Sequence, residues 1–183
     1  MNSYRKTAII VGALILIAYA VLASNITESK ITVMFFEVIS GVAVILIAVL
    51  MFPLFKPYNK KASFWYIVFR SIEGGLMIIA GILFLSHSNL LLEIRDGIYV
   101  GHGYIFAVAA LFFYYLLYQS KLIPRWISIW GFIAAILLIL ANLLELTGLI
   151  PGLMILYLPI ISNEVVLAIW LILKGFNLSG EEK

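Results

Sequence analysis

The chain contains no cysteine, only two histidines and few charged residues. Without cysteine it forms no disulfide, thiolate metal site or iron–sulfur cluster, and it has no cysteine nucleophile. Two histidines argue against bis-histidine haem and against the histidine-rich membrane di-iron enzymes. Charged residues make up 11% of the 183 residues, against about 25% in a typical soluble domain. So little charge leaves no room for a separate soluble domain.

Long apolar runs fill the sequence instead. Hydrophobic residues account for 64% of the chain, and the mean hydropathy is +1.14. This composition predicts an all-α integral membrane protein, a bundle of six transmembrane helices in one domain over residues 1–183. The first run looks like a signal sequence, but its length and the runs that follow favour an uncleaved helix. The predicted spans are 7–24, 33–55, 62–86, 99–118, 126–147 and 153–175.

Positive charge falls almost entirely on one side of this arrangement. If both termini and the even-numbered connections share a side, the other side keeps only Lys30 and Arg95. The basic residues of the richer side are Arg5, Lys6, Lys56, Lys60, Lys61, Lys121, Arg125, Lys174 and Lys183. Cytoplasmic loops carry the excess of Lys and Arg, so both termini are predicted to be cytoplasmic. Because the basic residues lie in these short loops, the net charge of +3 does not indicate nucleic-acid binding.

Local features add further expectations. Ser40, Gly41 and Ala48 follow Glu37 at helical spacing, so the four residues share one helix face. Small residues let membrane helices approach closely, so Glu37 is expected to face other helices. Residues 87–98 carry three charges and are predicted to be a connection. Pro159 lies inside the sixth span, where it is expected to bend the helix.

Several polar residues lie inside the predicted spans, where charge is costly and marks a candidate site. Arg70 and Glu73 are three residues apart and share a helix face. Within the membrane, Glu73 and Glu164 are predicted to lie near the midplane, and Arg70 slightly below it on the cytoplasmic side. The residues predicted for the outer third are Glu37, His102, Asn142 and Glu145, and Asn163 lies beside Glu164. The predicted ligand or ion site comprises Arg70, Glu73, Glu164, Glu37, Asn163, His102, Asn142 and Glu145.

These residues predict a polar funnel open to the outside and floored by Arg70, Glu73 and Glu164. Within the spans, four carboxylates face one guanidinium. Either some of the glutamates are protonated or a cation lies among them. The structural alternative is that Arg70 bridges Glu73 and Glu164, while Glu37 and Glu145 reach water.

No cofactor is identified from the sequence. The HExxH, GxSxG and Walker motifs are absent. A metal ion remains possible if Glu37, His102 and Glu145 converge at one depth, since Glu and His form mixed sites.

Three segments carry a family resemblance, namely Arg70–Glu73, Tyr114–Gly131 and Pro159–Phe176. In this order they resemble a family of small bacterial and archaeal membrane proteins catalogued as domain of unknown function 4386. The resemblance implies a six-span prokaryotic protein in which Arg70, Glu73 and Glu164 occupy positions typical of the family. It brings no established activity.

The leading functional hypothesis is a non-enzymatic protein of the prokaryotic plasma membrane that binds or transports a cation, a proton or a small amphiphilic molecule through the funnel. One alternative is an intramembrane enzyme acting on a lipid or prenyl substrate, with a carboxylate as general base and a metal ion. Another is a structural or regulatory interaction protein whose buried charges only specify packing. Membrane lipids are expected partners, and the sequence does not indicate an oligomeric state.

Overall fold

The fold is described from a computed structural model, which describes residues 3–26, 29–147 and 154–177. All regular elements in these ranges are helical, which confirms the predicted fold class. The six α-helices are α1 (Ser3–Ala18), α2 (Lys30–Phe55), α3 (Lys60–Leu83), α4 (Asn89–Ser120), α5 (Arg125–Leu146) and α6 (Leu158–Leu173). A 3-10 helix over Tyr19–Ile26 continues α1, and a second one over Met154–Leu156 precedes α6.

Five of the helical segments are long and apolar enough to cross a membrane, and they begin at Ser3, Lys30, Lys60, Asn89 and Arg125. The sixth helix is also apolar but has only 16 residues, or about 24 Å at 1.5 Å per residue. A bilayer core is about 30 Å thick, so the chain before α6 is expected to complete the crossing.

The helix ends follow from local sequence. Asn59 precedes α3, and its side-chain oxygen accepts a hydrogen bond from the backbone N–H of Ala62 at 3.0 Å. This contact satisfies a donor that the helix itself leaves free. At the end of α4, Lys121 adopts a left-handed conformation with a φ of 56° and closes the last turn.

The six helices form a closed ring in chain order. Each helix packs against the next one along the chain, and α6 packs against α1. Arg5 joins the two ends of the chain, since its guanidinium donates hydrogen bonds to the carbonyl oxygens of Ile172 and Leu173 at 2.8 and 3.0 Å. The start of α1 and the end of α6 therefore lie at the same end of the bundle.

The small residues of α2 that follow Glu37, which were predicted to face another helix, form a stripe that packs against α3. A Cβ atom at Gly41 would lie 2.5 Å from the carbonyl oxygen of Gly74, and the reverse holds for Gly74. Only glycine lets the two backbones approach this closely. Glu37 belongs to the same stripe and is fully buried against α3, so it faces helices and not lipid.

At the end that carries the termini, aromatic side chains fill the centre of the ring. Phe55, Tyr66, Phe113 and Tyr114 are all buried. The Tyr66 and Phe113 rings stack at 5.4 Å, and Phe55 meets both of them edge-on at 5.7 and 5.9 Å. Such pairs add packing energy beyond the area that they bury. We call this end the closed half and the opposite end the open half.

Two local expectations are wrong. The charged residues after 87 do not form a connection, because α4 already begins at Asn89 and runs for 32 residues. Pro159 does not bend the sixth helix, because it lies in the first turn of α6. Proline is tolerated there, since a first-turn N–H has no partner within the helix.

Candidate functional site

A cavity of about 370 Å³ occupies the centre of the open half. Its lining comes from the 3-10 helix after α1 and from all six α-helices. Aliphatic side chains cover much of the wall. The polar lining residues are Arg70, Glu73, His102, Asn142, Glu145, Glu164 and the tyrosines Tyr19, Tyr99, Tyr104 and Tyr157. Six of the eight residues predicted for the site therefore surround one cavity.

An ion pair forms part of the floor. Nη1 of Arg70 lies 3.0 and 2.9 Å from the two carboxylate oxygens of Glu73, one turn further along α3. Both side chains are about 95% buried. The guanidinium also lies over the ring of Phe106, 5.4 Å from its centroid. Because the charged hydrogen bond is made within one helix, the charge of Glu73 is balanced locally.

Glu164 provides the other carboxylate of the floor. It is 7% exposed and lines the cavity from α6. Oε2 accepts a hydrogen bond from the Tyr19 hydroxyl at 2.8 Å. Within the described residues, no Lys, Arg or His lies within ion-pair distance of Glu164.

The predicted Arg70 bridge between Glu73 and Glu164 is therefore only half present. Arg70 pairs with Glu73 through a direct contact, whereas Glu164 is paired with a phenol. A neutral hydroxyl donates a hydrogen bond but supplies no compensating charge. The floor as a whole holds one guanidinium and two carboxyl groups.

A network of hydrogen bonds borders the cavity nearer its mouth. The Tyr157 hydroxyl donates to Oδ1 of Asn142 at 2.8 Å or to Oε2 of Glu145 at 3.0 Å. Asn142 is buried and donates to the carbonyl oxygen of Gly103 at 3.3 Å, which ties α5 to α4. Glu145 is exposed, as expected for a carboxylate that reaches water. Nδ1 of His102 lies against the carbonyl oxygen of Tyr99.

Glu37 is outside the cavity. Its carboxylate pairs with Arg95 from the first turns of α4, and the Arg95 guanidinium also lies over the rings of Phe84 and Tyr99. The expectation that Glu37 reaches water is wrong, since the residue is fully buried. Arg95 thus neutralises a buried carboxylate that the sequence had left unpaired.

The Glu37, His102 and Glu145 set does not converge, because Glu37 pairs with Arg95 while Glu145 bonds to Tyr157. Throughout residues 3–26, 29–147 and 154–177, no three His, Asp or Glu side chains lie close enough to hold a metal ion. The geometry therefore offers no support for the predicted mixed metal site.

Asn163 also points away from the cavity, although it neighbours Glu164 in sequence. Its side-chain nitrogen donates to the carbonyl oxygen of Ile127 at 3.0 Å, which ties α6 to α5. This bond orients the helix face that carries Glu164. Asn163 thus contributes to the cavity through the position of α6.

Sequence reasoning missed the tyrosines that line the cavity and the partner of Glu37 outside it. These residues are Tyr19, Tyr99, Tyr104 and Tyr157, and Arg95. The tyrosines resemble the aromatic residues that are common near span ends. Arg95 is part of a charged segment that resembles a loop. Only the closure of the ring brings Tyr19 to Glu164, which is 145 residues away in sequence.

The fold and the cavity together define a multi-pass helical membrane protein with an open, partly polar cavity at one end of the bundle. The family model described as Domain of unknown function (DUF4386) matches residues 8–88 and 86–175. The chain therefore belongs to this family, as its sequence resemblance predicted. No curated protein and no solved structure matches the chain.

Proposed function

We propose that the protein is a carrier of the prokaryotic plasma membrane that binds one positively charged ligand in the cavity and exchanges it for a proton on Glu164. The observation that carries this proposal is the state of Glu164, a buried carboxylate that lines a cavity and whose side-chain hydrogen bond comes from a phenol. An ionised carboxylate at membrane depth is costly unless a positive charge compensates it. A proton compensates it in the empty cavity, and a cationic ligand replaces that proton.

The neighbouring ion pair supports the assignment of this role to Glu164. Glu73 is already balanced by Arg70, so the pair contributes no net charge to a ligand. Glu164 remains the acidic group of the floor that needs a counter-charge. Glu145 at the mouth adds negative potential along the entry path and favours the approach of a cation.

The two halves of the bundle support a carrier role. The cavity lies in one half, while aromatic packing closes the other. Carriers bind their ligand near the middle of the membrane and expose it to one side at a time. By the positive-inside rule, the basic residues near the termini support a cytoplasmic closed half and a cavity mouth on the outside.

Proton exchange across proteoliposomes tests this function. A pH-sensitive dye is enclosed in vesicles containing wild-type protein, Glu164→Gln or Glu93→Gln, and sodium, magnesium or benzyltrimethylammonium chloride is added outside. Glu93 is an exposed residue of α4 that does not line the cavity, so Glu93→Gln is the matched control. At least one of the three salts should drive proton efflux with wild type and Glu93→Gln, but not with Glu164→Gln. Equal responses from all three proteins, including no response, would contradict the proposal.

A further inference from the structure

The shape and lining of the cavity bear on the chemical class of its ligand. The floor holds Arg70, Glu73 and Glu164, with a net charge of −1 when both carboxylates are ionised. A ligand with one positive charge balances this floor. A ligand with two charges would leave an excess positive charge beside the Arg70 guanidinium in a low-dielectric site.

The walls favour an organic ligand over a bare ion. A volume of about 370 Å³ falls within the range of small-molecule pockets, roughly 300–1,000 Å³. Partly exposed aliphatic side chains such as Ala18, Val21 and Ile161 supply wall surface that an inorganic ion does not use. An apolar ligand body would cover this surface.

Aromatic residues give the cavity a second means of holding a cation. The rings of Tyr19, Tyr99, Tyr104 and Tyr157 belong to the lining, and Phe106 already accepts the Arg70 guanidinium on its face. Organic ammonium groups bind to aromatic faces through cation–π attraction. Tyr19 is the nearest of these to the charge, because its hydroxyl contacts Glu164.

The donor set near Glu164 is poorly suited to hard metal ions. Calcium takes about six to eight oxygen ligands and magnesium requires near-octahedral geometry. Among the contacts described for Glu164, the neighbouring side-chain oxygen is the Tyr19 hydroxyl. The Arg70 guanidinium on the same floor repels a divalent metal ion more strongly than a monovalent cation.

We infer that the ligand of this cavity is a monovalent organic cation with an apolar or aromatic body, held with its charged nitrogen at Glu164. The inference rests on the proposed function and specifies the substrate class of the same site. The ligand must combine a positive charge and an apolar body in one molecule.

Equilibrium displacement of tritiated benzyltrimethylammonium from proteoliposomes tests the inference. The competitors are the unlabelled cation, its uncharged carbon isostere neopentylbenzene, the dication para-xylylene-bis(trimethylammonium), and the chlorides of sodium, magnesium and calcium at constant ionic strength. Wild type, Glu164→Gln and the Glu93→Gln control are compared. The competitor series on wild type needs no variant, so it remains informative if Glu164→Gln folds poorly.

The monocation should bind wild type and Glu93→Gln equally. It should bind Glu164→Gln about 30-fold more weakly or worse, since removal of one partner of a buried charge pair has at least this effect. On wild type, the isostere and the dication should each compete at least about tenfold more weakly than the monocation. The metal chlorides should not compete.

Three outcomes would overturn the inference. Glu164-dependent proton efflux driven by sodium or magnesium but not by benzyltrimethylammonium, without specific binding of the labelled cation, would refute the substrate class and leave the proposed carrier function intact. Equal competition by neopentylbenzene would show that the cavity selects apolar bulk without charge. No Glu164-dependent binding of any probe, together with no proton exchange in vesicles, would refute both proposals.

Discussion

The two halves of the bundle are built from the same six helices but differ in what occupies their centre. In the closed half, the rings of Phe55, Tyr66 and Phe113 interlock at the centre of the ring of helices. In the open half, the helices surround a cavity of about 370 Å³ whose floor holds three ionisable side chains. The closed half therefore shows that these helices can pack around their centre without a charged group there. This difference fits a structural role for the closed half and the ligand-binding role that we propose for the open half.

The largest expected effect comes from the removal of an aromatic ring in the closed half. Phe55→Ala should lower the free energy of unfolding by about 3–5 kcal/mol, because a buried phenylalanine leaves a cavity. Denaturation in mild detergent, followed by tryptophan fluorescence, measures this loss. The control is Phe64→Ala, which removes a ring that is 54% exposed and should cost less than about 1 kcal/mol. Similar losses for the two variants would show that the stability of the closed half does not depend on the buried ring of Phe55.

A single substitution in the ion pair should have the next largest effect. Arg70→Met leaves Glu73 buried without its partner and should destabilise the protein by about 3 kcal/mol in the same denaturation experiment. Combining Arg70→Met with Glu73→Leu should restore most of this loss, because both charges are then gone. If the double variant is no more stable than Arg70→Met alone, Arg70 and Glu73 do not simply balance each other's charge.

Crowding at the contact between α4 and α5 should have a smaller effect. A Cβ atom at Gly131 would lie well inside van der Waals contact distance of the Tyr114 ring. Gly131→Ala therefore forces this buried ring of the closed half to shift. We expect a loss of about 2 kcal/mol from overpacking. Gly75→Ala is the matched control, since a Cβ there meets no atom within 4 Å, and alanine should stabilise its helix by about 1 kcal/mol. If both variants lower the free energy of unfolding, or both raise it, the packing of Tyr114 on Gly131 is contradicted.

The smallest effect is expected at the cavity mouth. Tyr157→Phe removes the hydroxyl that reaches Asn142 and Glu145, and should cost about 1 kcal/mol. Tyr58→Phe removes a hydroxyl from a residue that is 49% exposed and should leave the melting temperature unchanged. A loss for Tyr157→Phe as large as that for Phe55→Ala would show that the open half is as important for stability as the closed half.

The sequence predicted the fold because each membrane span is a long apolar run, and the order of the runs is visible without tertiary information. It also predicted that Glu73 and Glu164 share a floor, since residues at equal depth in one bundle meet when the ring closes. The pairing of Glu37 with Arg95 could not be predicted in this way. Arg95 lies in a charged segment that has the composition of a loop, and the length of α4 places it beside α2.

The contact between Tyr19 and Glu164 was equally inaccessible to sequence reasoning. It depends on the packing of α1 against α6 and on the 3-10 helix that begins at Tyr19, and neither has a local sequence signal. Pro159 was misjudged for a different reason. A proline inside an apolar run is compatible with a kink or with a helix start, and only the position of the first turn of α6 distinguishes them.

We propose that Glu164 carries a proton in the empty cavity and gives it up to a cation. Infrared difference spectroscopy of supported proteoliposomes measures this exchange, with benzyltrimethylammonium washed on and off wild type and Glu164→Gln. The cation should remove a protonated carboxyl band from wild type and add carboxylate bands, and Glu164→Gln should show neither change. Identical difference spectra for the two proteins would show that Glu164 does not exchange its proton for the cation.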